Sequence, residues 1–225
     1  MNTIRTLVIQ FANELSTKEI PLFRGAVIQS MEESNILFHN HTPEGFRYAY
    51  PLIQYKRIKG KAAIVCVGEG TEAIGKLLAN KLTTLQIGEK QVQMEIKRMS
   101  AFQTFVACED TMFHYSLRNW LPLNSTNYAA YSSTDSLAAH IEMLEKILIG
   151  NIMSFLKGIG IQMEDQVKVF ITAIEDKHLA HYKGVSMTCF NIKFNSNLRL
   201  PHLIGLGKGT SMGYGTLTFN HNTQS

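Results

Sequence analysis

The stretch FRYAYPLIQYKRIKGKAAIVCV, residues 46–67, decides the fold. Two runs rich in aromatic and β-branched residues flank Lys59-Gly60, and a glycine in a short polar break lets a chain reverse. The stretch therefore reads as a β-hairpin, FRYAYPLIQYKRI followed by KAAIVCV. Upstream, TIRTLVIQF (3–11) alternates Leu7, Ile9 and Phe11 and reads as a strand. Between the two, PLFRGAVIQSMEES opens on Pro21, and its apolar residues at 22, 23, 26, 27 and 31 have helical spacing. Past Gly68 and Gly70, TEAIGKLLANKL reads as a second helix. KQVQMEIKRM, with Val92, Met94 and Ile96 alternating, reads as a fourth strand. Strand, helix, strand, strand, helix, strand is the order of a ferredoxin-like unit, here over about residues 1–99.

The rest of the chain offers a second unit. MFHYSLRNWLPL (112–123) reads as a strand leading into a loop. A long helix is expected from Thr134, as N-cap, to Lys157, with Leu137, Ile141, Leu144, Leu148, Ile152 and Phe155 at steps of three or four. Gly158 and Gly160 would stop it. QVKVFITAI, KGVSMTCFNIKF and the terminal GTLTF read as strands. The expectation is an α+β protein of two domains, residues 1–105 and 106–225, the second a distorted relative of the first. No fixed-period repeat joins them.

Composition bounds what such a chain does. Of 225 residues, 45% are apolar and 18% charged, enough to build a sizeable core. A net charge of +4 is a mild bias, but its distribution is uneven. From Gly45 to Gly68 there is no acid, while Arg47, Lys56, Arg57, Lys59 and Lys61 are all present. That concentrates a positive field, or makes a solvated basic strand face. Cys66, Cys108 and Cys189 are too few and too scattered for a disulfide framework or a cysteine zinc site, and read as buried thiols in a reducing compartment. No segment has the length of a membrane span, and the N-terminus lacks a signal-peptide pattern. The expected location is the cytoplasm.

Two motifs carry chemistry. LFHNHTPEG (37–45) sets His39 and His41 two residues apart. An HxH pair can bind a metal, sit idle in a loop, or move protons. A metal site needs three or more ligands, and the pair supplies only two with no cysteine close by in sequence, so no metal and no cofactor is expected. HLAH (178–181) is a similar short pair. The second motif, GLGKGTSMGYG (205–215), holds five of the sixteen glycines. It lacks the GxxxxGK[ST]-then-helix order of a P-loop, and at the end of the chain it cannot open a βαβ unit. It is either a tight packing loop or an anion-binding concavity of backbone amides assisted by Lys208, Thr210 and Ser211.

The run Gly-apolar-Gly, Lys-Gly-Thr-Ser, Met-Gly-Tyr-Gly, followed at once by a short last strand, resembles the C-terminal signature of the CRISPR repeat-RNA processing endoribonucleases of the repeat-associated mysterious protein superfamily. Length, the βαββαβ reading and PLFRGAVI in the first helix agree in outline. The resemblance implies two ferredoxin-like domains side by side, and a glycine-rich loop that helps hold repeat RNA. It implies metal-independent cleavage with a histidine in the N-terminal domain. The RNA 2′-hydroxyl would attack the adjacent phosphorus and the 5′-oxygen would leave, giving a 2′,3′-cyclic phosphate.

On that reading His41 is the principal acid or base and His39 its second, because an imidazole of pKa about 6.5 serves in either role near neutrality. Two residues apart on an extended chain, the rings would be roughly 6.6 Å apart on one face. Lys56 and Tyr48 complete the catalytic set. Arg47, Arg57, Lys59 and Lys61 are expected on phosphate, with Gly205, Gly207, Lys208, Gly209, Thr210, Ser211, Gly213 and Gly215 of the loop. Tyr50 and Tyr55 could stack on bases instead. The alternatives are a non-catalytic RNA-binding subunit of the same superfamily and a protein-interaction module built on the wide apolar helix 134–157. That helix would also suit a homodimer, and membership of a CRISPR effector complex stays open.

Overall fold

The computed structural model describes residues 2–30, 41–42, 45–46, 50–79 and 84–220, with side chains not described at 41–46, 76, 77 and 79. His39, Arg47 and Tyr48 lie outside the described residues. The chain divides into two compact units, one of Thr3–Thr104 with Ser211–Gly213, the other of Asn2, Phe105–Thr210 and Tyr214 onward.

In the first unit, β1 (Thr3–Glu14) leads through a 3-10 turn (Thr17–Glu19) to α1 (Ile20–Gln29). Glu19 caps that turn by accepting the Ser16 backbone N–H at 2.8 Å, and Pro21 sits in the first helical turn, where its missing N–H has no partner to lose. Two short strands, β2 (His41–Thr42) and β3 (Gly45–Phe46), pair antiparallel, His41 opposite Phe46. β4 (Ile53–Ile58) and β5 (Lys61–Val67) form the expected hairpin, Ile58 opposite Lys61. Lys59 and Gly60 both have positive φ, +49° and +83°, the primed-turn geometry that matches strand twist. α2 (Gly70–Ala79) follows, then β6 (Thr84–Ile87), β7 (Lys90–Gln93) and β8 (Ile96–Phe105). KQVQMEIKRM is thus not one strand. Its first half pairs with β6 as a separate hairpin, and the chain breaks at Met94-Glu95 before β8.

The main sheet runs β4-β5-β1-β8. One face buries Ile9, Phe11, Ile53, Ile64 and Cys66 with Phe23, Val27 and Ile74 of the helices. Phe23 is the hub, meeting Phe11 edge-on at 5.9 Å and Tyr55 at 5.8 Å. Tyr55 is therefore a core residue, 1% exposed, and offers no surface for a base. The reason is register, because Tyr55 falls on the same face of β4 as buried Ile53.

The second unit contains β9 (Cys108–Trp120), α3 (Ser125–Ser132), α4 (Leu137–Gly158), β10 (Val169–Tyr182), β11 (Val185–Leu198) and β12 (Thr216–Phe219). Its sheet runs β10-β11-β9-β12, with every pairing antiparallel. The N-cap of α4 is Ser136, whose hydroxyl accepts the Ala139 N–H at 3.3 Å. Thr134 stands two residues earlier and accepts the Ser136 N–H instead. α4 buries Leu144, Leu148, Ile152, Phe155 and Leu156, while Leu137 and Met153 face out. Tyr115 ties the sheet to the next loop: its Oη donates to the Leu198 carbonyl at 3.1 Å and accepts the Leu200 N–H at 2.9 Å.

Numbered within each unit, with the short hairpins set aside, the strands of both main sheets fall in the order second, third, first, fourth. In the second unit the position of the second helix is taken by the glycine-rich segment between β11 and β12. All three cysteines are free thiols, Cys66 and Cys189 buried and Cys108 half-buried, and desolvation raises each above the usual thiol pKa. Among the described residues, no helix is long and apolar enough to cross a membrane.

Candidate functional site

His41 is the first residue of β2, held in extended backbone by its pairing with Phe46. His39, Arg47 and Tyr48 flank this small hairpin outside the described residues. Of the catalytic set, Lys56 is the member whose side chain is placed. It lies on β4, on the face opposite Tyr55, and is 1% exposed. Burial pulls its pKa down to about 7, because a desolvated ammonium is costly and loses its proton more readily. Gln54, two residues earlier on the same face, is also buried, and its Nε2 donates to Tyr50 Oη at 2.8 Å.

The basic hairpin divides by role. Arg57 is exposed, but its Nε donates to the Leu15 carbonyl at 2.7 Å, which fixes the guanidinium against the end of β1. Lys61 pairs with Glu14 at 3.2 Å, so part of its charge is neutralised. Lys59, at the exposed turn, projects the hairpin's charge into solvent. The acid-free stretch in sequence is therefore less positive in space than its composition suggests, because β1 supplies an acid that the linear reading does not see.

The glycine-rich loop is shaped by packing. Gly207 has φ +90°, and a Cβ there would meet Trp120 Nε1 at 2.8 Å and Asn151 Oδ1 at 2.9 Å. Those two atoms are themselves hydrogen-bonded, at 2.9 Å. Gly209 has φ +74°, with the Tyr182 ring at 2.8 Å and the Tyr214 ring at 2.9 Å from such a Cβ. Lys208 stands exposed between them, its ammonium 5.9 Å from the centre of the Tyr182 ring and 4.0 Å from Met187 Sδ. Tyr182 and Tyr214 meet edge to face at 5.6 Å, and Tyr214 Oη donates to the His181 carbonyl at 2.9 Å. Thr210 is buried, Ser211 and Gly213 are half-buried, and Gly205 and Gly215 are buried, Gly205 bridging to Thr216. Within this segment Lys208 is thus the exposed cation, on a backbone that tight contacts hold in one shape. Sequence reasoning missed Tyr182 and Tyr214, which are 32 residues apart and meet only through the fold. Among the described residues, no three His, Cys, Asp or Glu side chains converge as a metal would require, and His39 is outside that set.

Each unit is thus an α+β body built on a four-stranded sheet. Residues 2–104 match the family model of the Cas6b N-terminal domain, and residues 107–219 that of the Cas6b C-terminal domain. A crystal structure of Cas6b superposes with a TM-score of 0.87 at 25% identity, covering 97% of this chain and 100% of that one. A crystal structure of the CRISPR RNA processing endoribonuclease Cas6b gives 0.75 at 23% identity, with 97% and 100% covered. An uncharacterized protein of Methanocaldococcus jannaschii is 32% identical over 116 residues, 52% of this chain and 78% of that protein. The chain belongs to the Cas6b family.

Proposed function

We propose that the protein cleaves CRISPR precursor RNA within each repeat, without metal, by attack of the RNA's own 2′-hydroxyl. The match to both Cas6b domain models carries this reading, since it spans the histidine-bearing and the glycine-rich halves alike. One imidazole of the His39/His41 pair takes the 2′-OH proton as the O2′–P bond forms. The other gives a proton to the 5′-oxygen as the P–O5′ bond breaks. The products are a 2′,3′-cyclic phosphate and a 5′-hydroxyl. General acid and base assistance of this kind contributes about 100- to 10,000-fold each. His41 is the principal group, with the β2–β3 pairing as its platform.

Lys56 supports the charge that builds on the non-bridging oxygens by its field rather than by contact, a role that its burial favours because low dielectric lengthens the reach of a charge. Tyr48 and Arg47 assist at the scissile phosphate. Arg57, Lys59 and Lys61 of the β4–β5 hairpin and Lys208 of the loop guide the RNA backbone, with Lys59 and Lys208 as the freest cations. The loop glycines, Gly205 to Gly215, and the Thr210 and Ser211 hydroxyls hold the shape that presents Lys208. The strand order common to both units supports reading them as ferredoxin-like domains, 1–105 and 106–225, the second lacking its second helix. The same reading gives repeat RNA as partner, with a second copy or an effector complex as further associates, and a cytoplasmic location.

The test is incubation with repeat RNA in EDTA, followed by end analysis. A single cut with a cyclic phosphate, lost when the scissile nucleotide is 2′-deoxy, supports the proposal. Tight binding without a cut would make the chain a non-catalytic RNA-binding subunit. Dependence on added metal would overturn the assignment of the histidines.

A further inference from the structure

A cleft of about 430 Å³ opens within the second unit, between α3, the start of α4 and β10. None of its residues belongs to the histidine pair, the basic hairpin or the glycine loop. Its walls are unusually ordered for a surface feature. The Tyr131 and His140 rings stack at 3.9 Å and 12°, and His140 Nε2 donates to the Tyr131 carbonyl at 2.8 Å. The Lys177 ammonium lies 4.9 Å from the centre of the Tyr131 ring, a cation–π contact that restrains an otherwise mobile side chain. His178 Nδ1 donates to Asp176 Oδ2 at 2.7 Å, and Asn191 Nδ2 donates to the same oxygen at 3.2 Å. That pairing fixes the ring and commits Nδ1, which leaves Nε2 for a ligand. Asp135 brings a carboxylate to the rim. Two apolar groups complete it, Tyr128 and Leu179, which are 53% and 73% exposed.

We propose that this cleft receives one unpaired ribonucleotide of the bound RNA. The assignment rests on the RNA-binding reading above and adds a subsite to it. Lys177 takes the phosphate, and His178 Nε2, left an acceptor by the Nδ1–H bond to Asp176, takes an N–H of the base. The base covers Tyr128 and Leu179, whose large exposure is otherwise without purpose. Asp135, an acceptor only, takes a hydrogen bond from the ribose 2′-hydroxyl. The volume lies in the range of small-ligand sites and accommodates a single nucleotide, not a helix. Chemistry favours a nucleotide over a peptide because one restrained cation, one oriented imidazole, one carboxylate and an aromatic wall match phosphate, ribose and base together. A 2′-hydroxyl contact is also how a protein distinguishes RNA from DNA.

The experiment uses the full chain with its histidine imidazoles labelled with ¹³C. The four ribonucleoside 5′-monophosphates, their 2′-deoxy counterparts and inorganic phosphate are titrated in turn. At least one ribonucleotide is expected to shift the His178 and His140 signals, with its deoxy form about 3- to 10-fold weaker. Asp135→Ala should erase that difference. In parallel, repeat RNA carrying a 2′-deoxy scissile nucleotide is bound to wild type, Lys177→Gln and Tyr128→Ala. Each variant should bind about 5- to 100-fold more weakly. Both changed residues are solvent-facing, and circular dichroism verifies their fold. Silent histidine signals with unaltered RNA affinity would overturn the proposal. So would inorganic phosphate acting as strongly as any nucleotide, which would make the cleft a plain anion site. Nucleotides that bind this cleft while wild type fails to bind repeat RNA would instead refute the function proposed above and leave the subsite standing.

Discussion

Replacing Gly207 by alanine tests whether the glycine loop is a packed element or a free phosphate cradle. The new methyl would arrive at φ +90° and within 3 Å of both Trp120 Nε1 and Asn151 Oδ1. The left-handed backbone costs about 1–3 kcal/mol for a residue other than glycine. Overpacking adds about 1–3 kcal/mol, because both atoms belong to a hydrogen bond that must stretch or break. The expected loss is about 2–5 kcal/mol in the second unit. The chain's single tryptophan is Trp120 itself, so its fluorescence during urea unfolding reports on this site. Lys208→Ala serves as the control: its side chain is exposed, so stability should stay within about 0.5 kcal/mol while repeat-RNA affinity falls. A Gly207→Ala protein that unfolds within about 0.5 kcal/mol of wild type would refute the packing argument.

Two further predictions concern buried polar groups. Lys56 has its pKa lowered to about 7, so between that pH and the ordinary lysine value the unfolded chain binds more protons than the folded one, and stability rises with pH. The excess of wild type over Lys56→Met should grow by about 1–2 kcal/mol between pH 7 and 8.5 in chemical denaturation, and parallel pH dependences would show that Lys56 does not titrate there. Tyr115→Phe strands the Leu200 N–H and the Leu198 carbonyl, and should cost about 1–3 kcal/mol in the same assay, against almost nothing if water replaces the hydroxyl.

The strands of the first unit were legible wherever both signals agreed. β4 and β5 have continuous apolar stretches and a Lys59-Gly60 turn whose positive φ angles suit those residues. KQVQMEIKRM misled because alternation alone cannot show that Val92 pairs across to Leu85 in a local hairpin rather than in the main sheet. α3 escaped notice because STNYAAYS buries only Tyr131 and so carries no apolar stripe. The histidine pair was legible as a chemical motif, since two imidazoles beside an acid-free basic run need no fold to be noticed. Its neighbourhood was not: Glu14 meets Lys61 only because β1 and β5 are neighbours. The glycine loop could be read as a tight packing loop or as an anion-binding concavity, and the Trp120 indole against Gly207 is a neighbour that no sequence spacing reveals. The cleft of the second unit was beyond sequence reading altogether, because Tyr131 and Lys177 come together through pairings that no local spacing encodes.

The proton-transfer role proposed for His41 is tested most directly by single-turnover cleavage of repeat RNA in EDTA, wild type against His41→Ala, with RNA binding measured in parallel. The account predicts a rate about 100- to 10,000-fold lower with binding nearly unchanged. A His41→Ala protein that cuts repeat RNA at the wild-type rate would contradict it.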